Sequence, residues 1–357
     1  MTGPDDGSPA EGRPLDRDIH PEPVVPAETP EERTGPAGAT RPGVGTFTIE
    51  GRAAPGLFVV GWLATILGIA LLIVGYASPR SIAAAVLVVV ALTLLSIGLV
   101  VGAGGQAIER RARGEAYAGP SPFLLFLASV VVSSFLGSLI GLLARLVGVD
   151  PGGLGISILV LAVIQLTYVS LTRLLVVGTT ALTWTQMGFR PLGREAFGEV
   201  AFGLAFAVPM IVVTVIISAI AFAFFPEAPE SPLPATGTTI GLLLNLLGGA
   251  VLVPIGEETL FRGVSTTAWS RVYGPARAIV QGGLFFAFVH VIQVGGTDVA
   301  EAAGLAVVAF VTRIPIALAL GTVFLRRRSI WASMGLHAGF NGLLLILAEI
   351  AIRSGLG

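Results

Sequence analysis

The chain has 357 residues, of which 54% are hydrophobic and only 12% charged, and its mean hydropathy is +0.87. That balance excludes a soluble globular domain and indicates a multi-pass membrane protein. A formal net charge of −1 argues against a nucleic-acid surface, and the absence of cysteine removes thiol nucleophiles, disulfides and cysteine-ligated metals together.

Residues 1–54 hold ten of the 22 acidic groups among repeated Pro and Gly, with few large apolar side chains. Such a segment buries too little surface to offset its ordering entropy, so a disordered acidic cytoplasmic tail is expected there. It contains no apolar stretch of the signal-peptide kind, so targeting is expected to fall to the first membrane span.

Crossing about 30 Å of hydrocarbon takes roughly 20 apolar residues. Runs of that kind fall at about 56–77, 81–103, 123–148, 154–178, 197–225, 238–262, 277–296, 300–325 and 329–352. The fifth is long and contains Pro209, and the seventh is short. Each must be helical, because lipid offers no partner to backbone N–H and C=O groups. The expected fold is therefore all-α, a polytopic transmembrane helical bundle of about nine spans, with eight as the alternative count.

Every cationic residue is an arginine, and their positions test the count. With nine spans, Arg110, Arg111, Arg113, Arg190, Arg194, Arg271, Arg277, Arg326, Arg327 and Arg328 share the side of the tail, and only Arg80 and Arg353 lie on the other. Positive loops stay in the cytoplasm, so the N-terminus is expected inside the cell membrane and the C-terminus outside it. Arg145 and Arg173 sit near helix ends, where a long side chain snorkels to the interface. Arg313 is mid-helix beside Pro315, so it must face a partner or a cavity, which makes it a second-tier site residue.

The segment "VPIGEETLFRG", 253–263, ends an apolar run with two carboxylates and an arginine. Glu258 and Arg262 are four apart with the acid first, the favoured order for a helical ion pair. Glu257 lies about 100° round the helix and is left free. Phe286 and His290 share a helix face at the same spacing, as do His337 and Asn341. Counting residues from the predicted cytoplasmic helix ends places Glu257 roughly 9 Å deep and His337 roughly 12 Å deep. These groups can therefore meet in one polar cavity open toward the cytoplasm. A carboxylate, two imidazoles and a carboxamide gathered there can supply a general base and hydrogen-bond donors.

Glu257-Glu258-Thr-Leu-Phe-Arg262, Phe286-Ala-Phe-Val-His290 and His337-Ala-Gly-Phe-Asn341, in this order on separate helices, resemble the CPBP intramembrane protease family of CAAX prenyl endopeptidases and bacteriocin-processing or Abi proteins. The apolar runs place N-terminal transmembrane helices over 55–178, and the resemblance implies a catalytic transmembrane core over 179–357. It also implies an intramembrane endopeptidase acting on a membrane-associated or lipidated protein or peptide, with the lipid bilayer as its other partner. By the same resemblance Glu257 and His290 activate the water, His337 and Asn341 steady the oxyanion, and Glu258, Arg262 and Phe286 support the site. No His-Glu-x-x-His motif is present, so a metal-free mechanism is preferred, and zinc held by Glu257, His290 and His337 is the alternative. Two other readings stand beside hydrolysis: a non-catalytic immunity or binding protein of the same fold, and an ion-coupled transporter using Glu and His as relay groups.

Overall fold

The computed structural model describes residues 48–49, 52–53, 55–79, 81–229, 231–292 and 294–355. The expected disordered tail lies outside these residues, apart from a two-residue antiparallel ladder of β1 (Thr48–Ile49) with β2 (Arg52–Ala53). The rest of the regular structure is helical: α1 (Pro55–Ala77), α2 (Ile82–Ala112), α3 (Pro122–Leu146), α4 (Leu154–Thr172), α5 (Arg194–Ala205), α6 (Ala207–Phe224), α7 (Thr239–Leu246), α8 (Val253–Glu258), α9 (Thr267–Tyr273), α10 (Pro275–Val289), α11 (Val299–Arg327) and α12 (Ile330–Arg353). Widened π-helical stretches, Arg173–Val177, Leu247–Leu252 and Thr259–Thr266, extend α4 and join α7, α8 and α9 into one continuous helix. Among the described residues eight helices are long and apolar enough to cross a membrane, so the protein is a polytopic helical membrane bundle.

The helix starts follow local chemistry. Pro122 and Pro275 open α3 and α10, where a missing N–H costs nothing. Thr238 accepts a bond from the Gly241 N–H at 3.1 Å, and Asp298 accepts from the Ala300 and Glu301 N–H groups at 2.8 and 2.9 Å. The predicted fifth span is broken at Phe206, three residues before Pro209, which cannot donate to the carbonyl one turn back. Gly335 and Gly339 let α12 press against α5 and α6, with Val200 Cα and Ala207 Cβ 2.9 and 2.8 Å from where their side chains would begin.

Two expectations change. The predicted sixth span, 238–262, runs eleven residues further, to Tyr273. Ser265, Thr266 and Thr267 read as the start of a loop, yet their hydroxyls donate to the carbonyls of Leu260, Phe261 and Arg262, five residues back, at 2.9, 2.9 and 3.3 Å. The polar side chains thus satisfy the widened backbone, and the helix continues.

The predicted seventh span becomes α10, whose 15 residues reach about 22 Å, short of the hydrocarbon thickness. It still matters to the path of the chain. One end of the bundle gathers Arg111 with Thr179, Ile330 with Gly188 and Trp331 with Arg190, through bonds of 2.8, 3.0 and 3.0 Å. The other gathers Thr236 with Glu349 at 3.0 Å and Gly304 against the Phe225 ring. α10 leaves the first end and α11 starts from the second, so α10 and the connection after it complete the traverse between them. Consequently α1 starts at the first end and α12 finishes at the second.

The core lies where α3, α4, α10 and the stretch Leu260–Trp269 meet. Phe261 packs edge-on against Phe285 and Phe286, with centroids 5.3 and 5.2 Å apart, and Phe126 from α3 closes on Phe285 at 5.5 Å. Aromatic pairs at these angles add direction to apolar burial and fix the rotation of α10 relative to the glutamates.

Candidate active site

Five elements converge on one buried polar cluster: α8 brings Glu257 and Glu258, the π-helical stretch after it brings Arg262, α10 brings Phe286 and its cap His290, α11 brings Arg313, and α12 brings His337 and Asn341. Glu258 is fully buried and its Oε1 accepts two bonds, from Arg262 Nη1 at 3.0 Å and from His337 Nδ1 at 2.8 Å. Arg262 also donates from Nη2 to the Ala317 carbonyl at 3.3 Å, tying the same ion pair to α11. The expected pair is therefore present, and it acts as a three-helix knot because His337 joins it.

Glu257 differs from its neighbour. Its side chain keeps 15% of its surface exposed, against none for Glu258. Its Oε2 has no hydrogen-bond partner, and His337 Nε2 stands 3.9 Å away, beyond bonding distance. His337 thus bridges the two glutamates, bound to Glu258 through Nδ1 and facing Glu257 with Nε2.

His290 shows the complementary arrangement. Its Nδ1 lies 2.7 Å from the Phe286 carbonyl, which can only accept, so Nδ1 carries the proton and a neutral ring leaves Nε2 with its lone pair. Phe286 is the packing hub: its ring lies 4.2 Å beneath the Arg262 guanidinium, 4.6 Å from the His290 ring and 5.8 Å from that of His337. One aromatic ring therefore sets the spacing of a cation and both imidazoles.

Asn341, expected to help steady an oxyanion, is anchored to the backbone. Its Nδ2 donates to the Gly249 carbonyl at 2.9 Å, within the π-helical turn before α8, so one of its two N–H groups is already engaged. Arg313 bonds the Ala309 carbonyl of its own helix at 3.1 Å and stands within electrostatic reach of Glu257 and His290. Seven of the residues singled out from the sequence, Glu257, Glu258, Arg262, Phe286, His290, Arg313 and His337, interact with one another, while Asn341 lies one turn past His337 on α12 and is bonded to Gly249.

Depth needs revision. Glu257 was expected six residues from the end of its helix, but sixteen separate it from Tyr273. The better marker is His337, seven residues or roughly 10 Å from the start of α12.

Sequence reasoning passed over α4. Gln165 and Tyr168 are buried on the face that meets α8, Gln165 lies against Gly256, and Tyr168 is within electrostatic reach of Glu257. The signal was available as a glutamine and a tyrosine three apart, with Thr167, Ser170 and Thr172 beside them, in the second half of a membrane span. Among the described residues no group of three or more His, Asp or Glu side chains is arranged to hold a metal ion.

Compared with known families, residues 239–343 match the family described as Type II CAAX prenyl endopeptidase Rce1-like, a stretch that contains all three motifs and Arg313. No curated protein and no solved structure matches the chain.

Proposed function

We propose that this membrane protein, whose residues 239–343 match the type II CAAX prenyl endopeptidase family, is an intramembrane endopeptidase that hydrolyses a peptide bond of a membrane-associated or lipidated protein or peptide with water activated by Glu257. One observation carries the assignment. Of two adjacent glutamates, Glu258 is sealed and held through Oε1 by both Arg262 and His337, whereas Glu257 is held by neither and keeps an exposed edge.

In this reading Glu257 takes a proton from water, and the lone pair on His290 Nε2 helps to orient that water. The water oxygen bonds to the carbonyl carbon of the scissile peptide, and the former carbonyl oxygen becomes an oxyanion. Donors are needed there: the free N–H of Asn341, and His337 Nε2 when protonated. Glu258 holds His337 by its other nitrogen, and Arg262 holds Glu258, so the donor is aimed by a chain of bonds that the reaction does not disturb. Collapse of the oxyanion expels the amine, which takes the proton that Glu257 acquired. Proton transfers and charge balance close within these residues, which is why the proposal is metal-free.

The arginine-rich end of the bundle is the cytoplasmic one in this reading, which puts the N-terminus inside the cell and the C-terminus outside. Membranes from cells carrying the wild type or Glu257→Gln, compared by terminal-peptide proteomics, test the assignment. New protein termini are expected with the wild type only, and they should persist when a chelator is added. Identical sets of termini from both strains would reject hydrolysis.

A further inference from the structure

The polar face that α4 turns toward α8 has no role in the chemistry above. Gln165 is about nineteen-twentieths buried and its Oε1 has no hydrogen-bond partner. Buried carboxamides without partners are rare enough to need an explanation. Packing volume alone would be met by leucine at lower desolvation cost.

The position of that carboxamide is specific. A side chain on Gly256 would run directly into Gln165 Oε1, and its first carbon would also lie 2.8 Å from Gln165 Cα and 2.9 Å from Gln165 Cβ. Gly256 is therefore the notch that admits α4, and the residue filling it lies against the backbone immediately before Glu257. Three residues on along the same face, Tyr168 is buried and interacts electrostatically with Glu257. The remaining neighbours of Glu257 are already known: Glu258 and Arg262 on its own helix, Arg313 on α11 and His337 on α12.

We infer that Gln165 is a positioning residue of the site: its carboxamide, seated in the Gly256 notch, fixes the α8 backbone and so the aim of the Glu257 carboxylate, with Tyr168 three residues on along α4. This rests on the hydrolytic reading for its consequence in turnover, but not for the geometry itself. Neither residue lies in the segment 239–343 that matches the family, so the family's motifs assign them nothing.

The test is Gln165→Leu, which keeps the volume and removes the carboxamide, with Gln165→Asn as the conservative control and Tyr168→Phe beside them. Two readouts are taken on the full-length protein in detergent. In turnover, Gln165→Leu should lower kcat by roughly tenfold to a hundredfold with KM within about twofold, because a misaimed base slows the chemical step without weakening binding. Gln165→Asn should recover part of that loss, and Tyr168→Phe should show a smaller loss of the same kind. The second readout is the carboxyl stretching band of Glu257, identified by its absence in Glu257→Gln. Gln165→Leu should shift that band while the thermal unfolding midpoint stays at the wild-type value.

An unshifted band in folded Gln165→Leu overturns the inference, whether or not the protein cleaves anything. So does a kcat equal to the wild type's. A band shifted in Gln165→Leu, when the wild type itself cleaves no substrate, would uphold the positioning role and count against hydrolysis alone. If Gln165→Leu fails to fold, Gly256→Ser with its band lost or broadened tests the same notch from the other side.

Discussion

The pair α1–α2 and the cluster around α8 are both made of helices packed in the membrane, yet they use their polar atoms in opposite ways. In the first, side-chain hydroxyls serve their own helix: Thr65 donates to the Gly61 carbonyl at 2.8 Å, Thr93 to that of Val89 at 2.8 Å, and Ser96 to that of Leu92 at 2.7 Å. In the second, polar groups cross between helices: Arg262 to Ala317, His337 to Glu258, Asn341 to Gly249. Without a hydrophobic force between helices in lipid, the first pair must rely on close approach and the second on charge and hydrogen bonds. One arrangement specifies a distance, and the other specifies the positions of particular atoms, which is what catalysis requires.

The largest predicted effect breaks the second arrangement. Arg262→Ala leaves the Glu258 carboxylate buried with its cation gone, and removing one partner of a buried pair costs about 3–5 kcal/mol. Loss of the folded protein from membranes, or a large drop in its unfolding midpoint in detergent, is the expected result. A variant as stable as the wild type would mean that His337 alone holds Glu258.

The next effect breaks the first arrangement. A side chain on Gly98 would begin 2.8 Å from the Thr65 backbone nitrogen and 2.9 Å from the Gly61 carbonyl oxygen, positions that rigid backbone cannot vacate. Gly98→Val should therefore destabilise the pair by about 1–3 kcal/mol, the range for overpacking a tight contact. Because no residue of the site lies on α1 or α2, turnover per folded molecule should be retained. Activity lost in proportion to that of Glu257→Gln would show that the two regions are coupled.

The difference between the regions also decides what could be read from the sequence. Hydropathy finds α1 and α2 because their apolar runs are long and their breaks coincide with Ser81 and the arginines after Ala107. The i, i+4 spacing of Glu258 with Arg262 was legible for the same reason, since it depends only on helical period. The π-helical turns were not legible, because one widened turn leaves hydropathy unchanged while rotating every residue after it. Ser265, Thr266 and Thr267 looked like a loop because their bonds to carbonyls five residues back exist only once that turn has formed. The bond from His337 to Glu258, rather than to Glu257, depends on how α12 is rotated against α8, which no local pattern encodes. Gln165 escaped because one glutamine in an apolar span has no partner in sequence, and its partner in space is a glycine ninety-one residues away.

The smallest effect sharpens the comparison by asking what α1 does with its other face. Leu63 and Ile73 are 62% and 64% exposed, and they point away from α2 toward the space that lipid occupies. A lipid tail replaces most of the contacts that a trimmed side chain gives up, so Leu63→Ala and Ile73→Ala should each change stability by no more than about 0.5 kcal/mol. Unfolding midpoints measured in detergent and again in lipid nanodiscs check this, and the two media should agree. A loss several times larger in nanodiscs alone would mean that this face is covered by protein in the bilayer, since lipid tails offer leucine and alanine nearly the same surroundings. In that event α1 would be an assembly surface, and the division between a distance-setting pair and an atom-placing cluster would extend to contacts between molecules.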